Sequence, residues 1–81
     1  MKKLGTKIVV IDNGFVHVGD CVVNDGMLRI DNCRNLRVWG TTAGLGQLIK
    51  GPLKDTKADE CGTVLVPFGR VVFLITVVEG W

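Results

Sequence analysis

Hydrophobic positions along this chain recur in short alternating runs, and turn-forming residues separate the runs. "KIVVID" (7–12) reads as a first strand, and Asn13-Gly14 marks a hairpin turn because both positions accept positive φ. "FVHVGDCVV" (15–23) predicts a second strand, with Gly19 a candidate bulge. Asn24-Asp25-Gly26 is another tight turn. "MLRID" (27–31) and "NLRVW" (35–39) predict a third and a fourth strand around a short Asn32-Cys33-Arg34 connection. A polar loop, "PLKDTKADE" (52–60), precedes the last two strands, "TVLVP" (63–67) and "VVFLITVV" (71–78), which "FGR" divides. About six short strands plus one short helix near 42–50 predict a mainly β fold. The expected form is a small antiparallel barrel or sandwich, SH3-like or OB-like, as a single domain over residues 1–81.

The segment "VWGTTAGLGQLIKGP" (38–52) departs from this pattern. Leu45, Leu48 and Ile49 have the spacing of a buried helical stripe. Thr41 or Thr42 is suited to cap that helix, and Gly51-Pro52 to stop it. Gly44 and Gly46 weaken a helix by roughly 1 kcal/mol each relative to alanine, so they imply close backbone approach or exposed amides. Amides free at such a position bind phosphate or carboxylate. Strand alternation places Leu28, Ile30, Leu36 and Val38 on the core face. Arg29, Arg37 and Trp39 then share the outer face, where arginine and a planar anion can both stack on the indole. The alternative is that Trp39 lies under the polar loop as a satellite core residue. The predicted ligand-binding set is Trp39, Thr41, Thr42, Gly44, Arg37, Arg29 and Lys50.

Charge sharpens this picture only locally. The net charge is +2, too small to imply nucleic-acid binding. Residues 29–57 nevertheless carry six basic side chains (Arg29, Arg34, Arg37, Lys50, Lys54, Lys57) against Asp31 and Asp55, a local excess of four. Such a patch suits an anionic partner or is a solvated face. The composition is 47% hydrophobic, which is apolar for so short a chain and predicts a homo-oligomer that absorbs the excess. The 71–78 run is apolar on both faces, so it is either central or packed on a second subunit. Trp81 either anchors that contact or frays as a tail.

Several chemistries are excluded. Gly46 to Gly51 has the glycine spacing of a phosphate-binding Walker loop, but Pro52 stands where the lysine is required. Dinucleotide G-x-G-x-x-G spacing is absent. The three cysteines are odd in number, with no CxxC pair, which argues against a disulfide framework and for reduced thiols. His17 is the only histidine. His17 and Cys21 share a strand face, and Cys33 or Cys61 offers a further ligand to complete a zinc site, but the close ligand pairs of zinc sites are missing, so no metal and no cofactor are expected. No residue is marked to orient His17 for catalysis, so the expectation is no enzyme. The N-terminal apolar run is too short for a signal peptide. The 71–78 run falls far below the ~20 residues of a membrane helix. The expected location is the cytoplasm.

Trp39-Gly40-Thr41-Thr42, Gly44-Leu45-Gly46, Gly51-Pro52 and Cys61-Gly62-Thr63, together with "KIVVIDNGFVHVGD", resemble a family of small proteins encoded by phages and prophages. The resemblance covers roughly residues 7–77 and implies a genomic setting, not a mechanism. That setting suggests an oligomeric, non-enzymatic accessory protein that sequesters a small anionic, nucleotide-like ligand and so counters host defence signalling. The alternatives are a protein-interaction module that inhibits a host protein, a single-stranded nucleic-acid binder with an OB-like face, and a virion or scaffold component.

Overall fold

The computed structural model describes residues 1–81. Five antiparallel strands, β1 (Lys2–Ile11), β2 (Val16–Asn24), β3 (Met27–Val38), β4 (Lys57–Pro67) and β5 (Val71–Thr76), form one sheet in the order β4-β3-β2-β1-β5. Ile8 and Val9, adjacent on β1, are both fully buried, because each face of the sheet carries its own apolar cluster. On one face Ile8, Val16, Val18 and Leu36 pack under Leu45, Leu48, Val77 and Trp81. On the other, Val9, Ile11, Leu28 and Ile30 pack with Val66 of β4, and Val71 and Leu74 of β5 join them.

This second cluster shows how the sheet curves. β4 and β5 are its opposite edges, yet only a three-residue 3₁₀ turn, Phe68–Arg70, joins them. The two edges must therefore converge at that end, so the sheet curls around Val9, Leu28 and Ile30. Hydrogen-bonded pairing does not close it, since no β4–β5 pairing forms. The short turn is held from two sides. Phe68 N donates to Gly26 O at 2.8 Å, and Arg70 O accepts from Asp12 N at 2.9 Å. The Arg70 guanidinium also forks onto the Asp12 carboxylate at 3.0 Å.

Several sequence expectations change. The predicted third and fourth strands are one strand, so there are five strands. Asn32 takes φ 51° where the β3–β4 register slips between Ile30 and Cys33. Asparagine tolerates that conformation, so the connection becomes a bulge inside a continuous strand. The polar loop is shorter than expected, because 57–60 already pair with β3. The helix near 42–50 is only a 3₁₀ turn, Leu45–Leu48. It is flanked by Gly44 at φ 98° with no side-chain cap, so Thr41 and Thr42 do not cap it. The 71–78 strand ends at Thr76 and lies at an edge, not in the centre, with Val72 and Phe73 exposed.

The bulge expected at Gly19 lies instead on β3, because Gly19 alone stands opposite Asn32 and Cys33 and pairs regularly with Lys7 on its other side. The turn expected at 24–26 holds. Asp25 and Gly26 both have positive φ, as a tight hairpin turn requires. No helix is long and apolar enough to cross a membrane.

Candidate functional site

The bulge at Asn32 decides which side chains can meet. An extra residue in a strand reverses the parity of everything after it. Leu28 and Ile30 accordingly belong to one cluster, and Leu36 to the other. Arg29 and Arg37 therefore lie on opposite faces of β3, and at ~3.3 Å per residue their backbones are also roughly 25 Å apart. The expected convergence of both arginines on one outer face is corrected. Each has its own carboxylate: Arg29 Nε lies 3.1 Å from Asp31, and Arg37 Nε lies 2.8 Å from Asp59, both pairs exposed.

Trp39 follows the end of β3 and is 40% exposed. Its loop is closed at the neck by one hydroxyl. Thr56 Oγ1 donates to Trp39 O at 2.7 Å and accepts from Leu53 N at 2.9 Å. Gly40, at φ 69°, lies against the backbone of Asp55 and Thr56. In the same stretch of chain Val38, Ile49 and Leu53 are exposed at 43%, 44% and 40%, and Lys50, Lys54 and Lys57 are exposed as well. Trp39 is thus neither core nor free: its loop is fixed and part of its indole faces solvent.

The amide nest expected after Trp39 exists, but its occupant is internal. Gln47 Oε1 accepts from Thr42 N at 2.6 Å and from Ala43 N at 2.8 Å, while Gln47 Nε2 donates to Thr42 Oγ1 at 3.1 Å. A carboxamide oxygen here takes the place of the expected anion. The legible signal was Gln47 itself, a side-chain acceptor five residues beyond Thr42. Replacing Gln47 with alanine is expected to speed hydrogen exchange at the Thr42 and Ala43 amides while leaving β1–β3 protection unchanged. Unaltered exchange at those two amides would show that Gln47 does not hold the loop.

The recesses lie elsewhere. One, of about 350 Å³, is lined by Asp20, Asn32, Arg34, Glu60, Gly62 and Trp81 among others. Within it the Arg34 guanidinium stacks 5.5 Å from the centre of the Trp81 ring and donates to the Trp81 carbonyl. A second, of about 400 Å³, includes Lys3, Arg29, Asp31 and Glu79. Both mix acid and base. Of the predicted residues only Arg29 lines either; Arg37, Trp39, Thr41, Thr42, Gly44 and Lys50 line neither. Between the two recesses the buried Thr6 hydroxyl faces carboxylates of Asp20 at 2.8 Å and Glu79 at 2.9 Å. Sequence reading did not single out this trio, since 73 residues separate Thr6 from Glu79.

Burial pushes the Cys21 thiol up to about 11. Burial, with the neighbouring Cys61, pushes Cys33 up to about 12. Neither thiol is a nucleophile at neutral pH in this state. Burial lowers the His17 pKa, which favours neutral imidazole. His17, Cys33 and Cys61 bring one potential ligand atom each to within 4.8 Å of one another.

No family model matches the chain, and neither a curated protein nor a solved structure matches it. The resemblance in the glycine–threonine signature therefore stands on those residues alone.

Proposed function

We propose that this is a non-enzymatic protein-interaction module that docks a partner protein through the surface around Trp39. The observation that carries the reading is Trp39, half-exposed on a loop whose neck is fixed by Thr56, in a segment that also exposes Val38, Ile49 and Leu53 and carries exposed Lys50, Lys54 and Lys57. An aromatic anchor held by a rigid neck is the kind of residue that dominates interface energy. The exposed lysines favour a partner whose apolar patch is bordered by acidic residues. They disfavour a second copy docked face to face, which would bring lysine against lysine. The phage resemblance points to a host protein as the partner class. For the finer fold we infer an SH3-like barrel, because β1 to β4 run as a meander, unlike the Greek-key path of an OB-fold.

Sequestration of a small anion is the second reading. It keeps Trp39 and Lys50, but loses the Thr42 and Ala43 amides to Gln47 and Arg37 to Asp59.

Native mass spectrometry of the protein captured from host lysate separates these readings: a heterocomplex supports docking, and a retained small anion supports sequestration. Trp39→Ala should keep the circular dichroism spectrum and weaken the heterocomplex at least ~30-fold, as loss of an interface anchor does. Lys54→Glu should slow association and flatten its salt dependence. Binding unchanged by Trp39→Ala would overturn the docking surface.

A further inference from the structure

His17, Cys33 and Cys61 come from β2, β3 and β4, with no two close in sequence. Register brings them together. His17 pairs with Asn35, which makes Cys33, two residues back along β3, its diagonal neighbour on the same face. Cys33 pairs with Gly62 where the β3–β4 register slips, so Cys61 comes alongside it. The Cys61 thiol donates to the Cys33 carbonyl at 3.3 Å. The imidazole nitrogen and the two sulfurs all lie within 4.8 Å of one another.

A second observation points to the same place. His17 Nδ1 is buried without a hydrogen-bond partner, the only side-chain polar atom so placed. Such an atom costs about 1–3 kcal/mol when left unsatisfied, and native structures rarely leave one.

We propose that His17, Cys33 and Cys61 bind a zinc ion that staples β2, β3 and β4. One imidazole and two sulfurs form a borderline-soft donor set that zinc favours, and hard oxygen-seeking cations do not. Around a tetrahedral zinc, with bonds of about 2.0–2.3 Å, ligand atoms stand roughly 3.5–3.8 Å apart. From separations of at most 4.8 Å the set therefore closes by no more than roughly 1.0–1.3 Å. Cys61 is exposed and Cys33 buried, so the ion enters past Cys61 and that side chain swings to meet it. Zinc displaces both thiol protons, and the two thiolates balance its charge. Water takes the fourth position. A disulfide between Cys33 and Cys61 is the rival use of these sulfurs, but it leaves His17 Nδ1 unpaired, whereas zinc occupies all three side chains. The staple also suits its location, because 57–63 are all exposed, so the first half of β4 is held by its ladder to β3 and the Arg37–Asp59 pair and buries no core side chain of its own. The site is independent of the Trp39 surface, so either can fail alone.

The test uses the full chain, reduced and freed of metal. Native mass spectrometry after zinc addition should show one zinc per chain with the loss of two protons. Cobalt(II) should give thiolate-to-metal charge-transfer absorption and tetrahedral d–d bands. Cys61→Ser and His17→Gln, each checked for fold by circular dichroism, should weaken zinc in chelator competition by more than about 100-fold, beyond what losing an outer partner costs. Zinc should raise the melting temperature of the parent but not of Cys61→Ser. The proposal is overturned if reduced protein takes no zinc or gives no thiolate–cobalt band. It is equally overturned if Cys61→Ser binds zinc as tightly as the parent.

Discussion

Trp81→Ala is expected to lose about 3–5 kcal/mol, the cost of removing a large buried aromatic ring from a core. A domain of this length has roughly 4–12 kcal/mol in total, so the variant sits near the edge of folding. At ~4–8 °C per kcal/mol for a domain of this size, its melting temperature should fall by at least about 12 °C. The reason is where the tail goes. Trp81 is only 7% exposed and packs with Leu45, Leu48 and Ile8. Its Nε1–H donates to Leu48 O at 2.5 Å, and Arg34 covers its ring at 5.5 Å. The residue thus neither frays nor anchors a second subunit; it is the lid of its own chain's core. Trp81→Phe separates the two contributions. It keeps most of the ring but leaves the buried Leu48 carbonyl without its donor, at about 1–3 kcal/mol. A thermal melt should therefore rank parent above Trp81→Phe above Trp81→Ala. If alanine melts with the parent, the packed tail is wrong.

Gly40→Ala is the second large effect, expected at roughly 2–5 kcal/mol. A Cβ at this position would stand 2.5 Å from the Asp55 carbonyl carbon and 2.6 Å from Thr56 N. Both are backbone atoms, which cannot rotate aside, so the neck of the loop must open at an overpacking cost of about 1–3 kcal/mol. The φ of 69° adds about 1–2 kcal/mol for an L side chain. Opening the neck breaks the Thr56 hydroxyl's bond to Trp39 O and releases the Trp39 surface. Gly44→Ala is the comparison. Gly44 has φ 98° but nothing within 4 Å of its would-be Cβ, so only the conformational cost remains. Denaturant unfolding should find Gly40→Ala the more destabilised of the two. The reverse order would remove the steric argument for the neck.

These two substitutions divide what could be read in advance from what could not. Trp81 offered no local signal: a tryptophan after Glu79-Gly80 reads as tail until the opposite wall of the core is known. Gly40 stood in a segment already marked as unusual, and its need for positive φ is a property of the residue. Its contact with Asp55 and Thr56 belongs to a loop that closes fifteen residues later.

Short apolar runs set off by turn residues located the strands, except that β3 was split in two, although β1 and β2 are buried on both faces and so show no strict period of two. Asn-Asp-Gly at 24–26 determined a tight turn, because only residues tolerant of positive φ complete it. Gly19 was legible as an irregular position, but its reason is tertiary: its Cβ would strike Ile30 and Asp31 of the bulged β3. Parity was decided only by the fold. One extra residue at Asn32 put Arg29 and Arg37 on opposite faces, and nothing local distinguishes a bulge from a break between two strands. The loop amides were legible as a nest, and Gln47 stood close enough in sequence to fill it; that its carboxamide turns inward to do so was decided by the structure. The His17–Cys33–Cys61 cluster was decided entirely by register. Three strands distant along the chain supply one ligand each, and pairing across two bulged ladders, which no spacing rule encodes, brings them together.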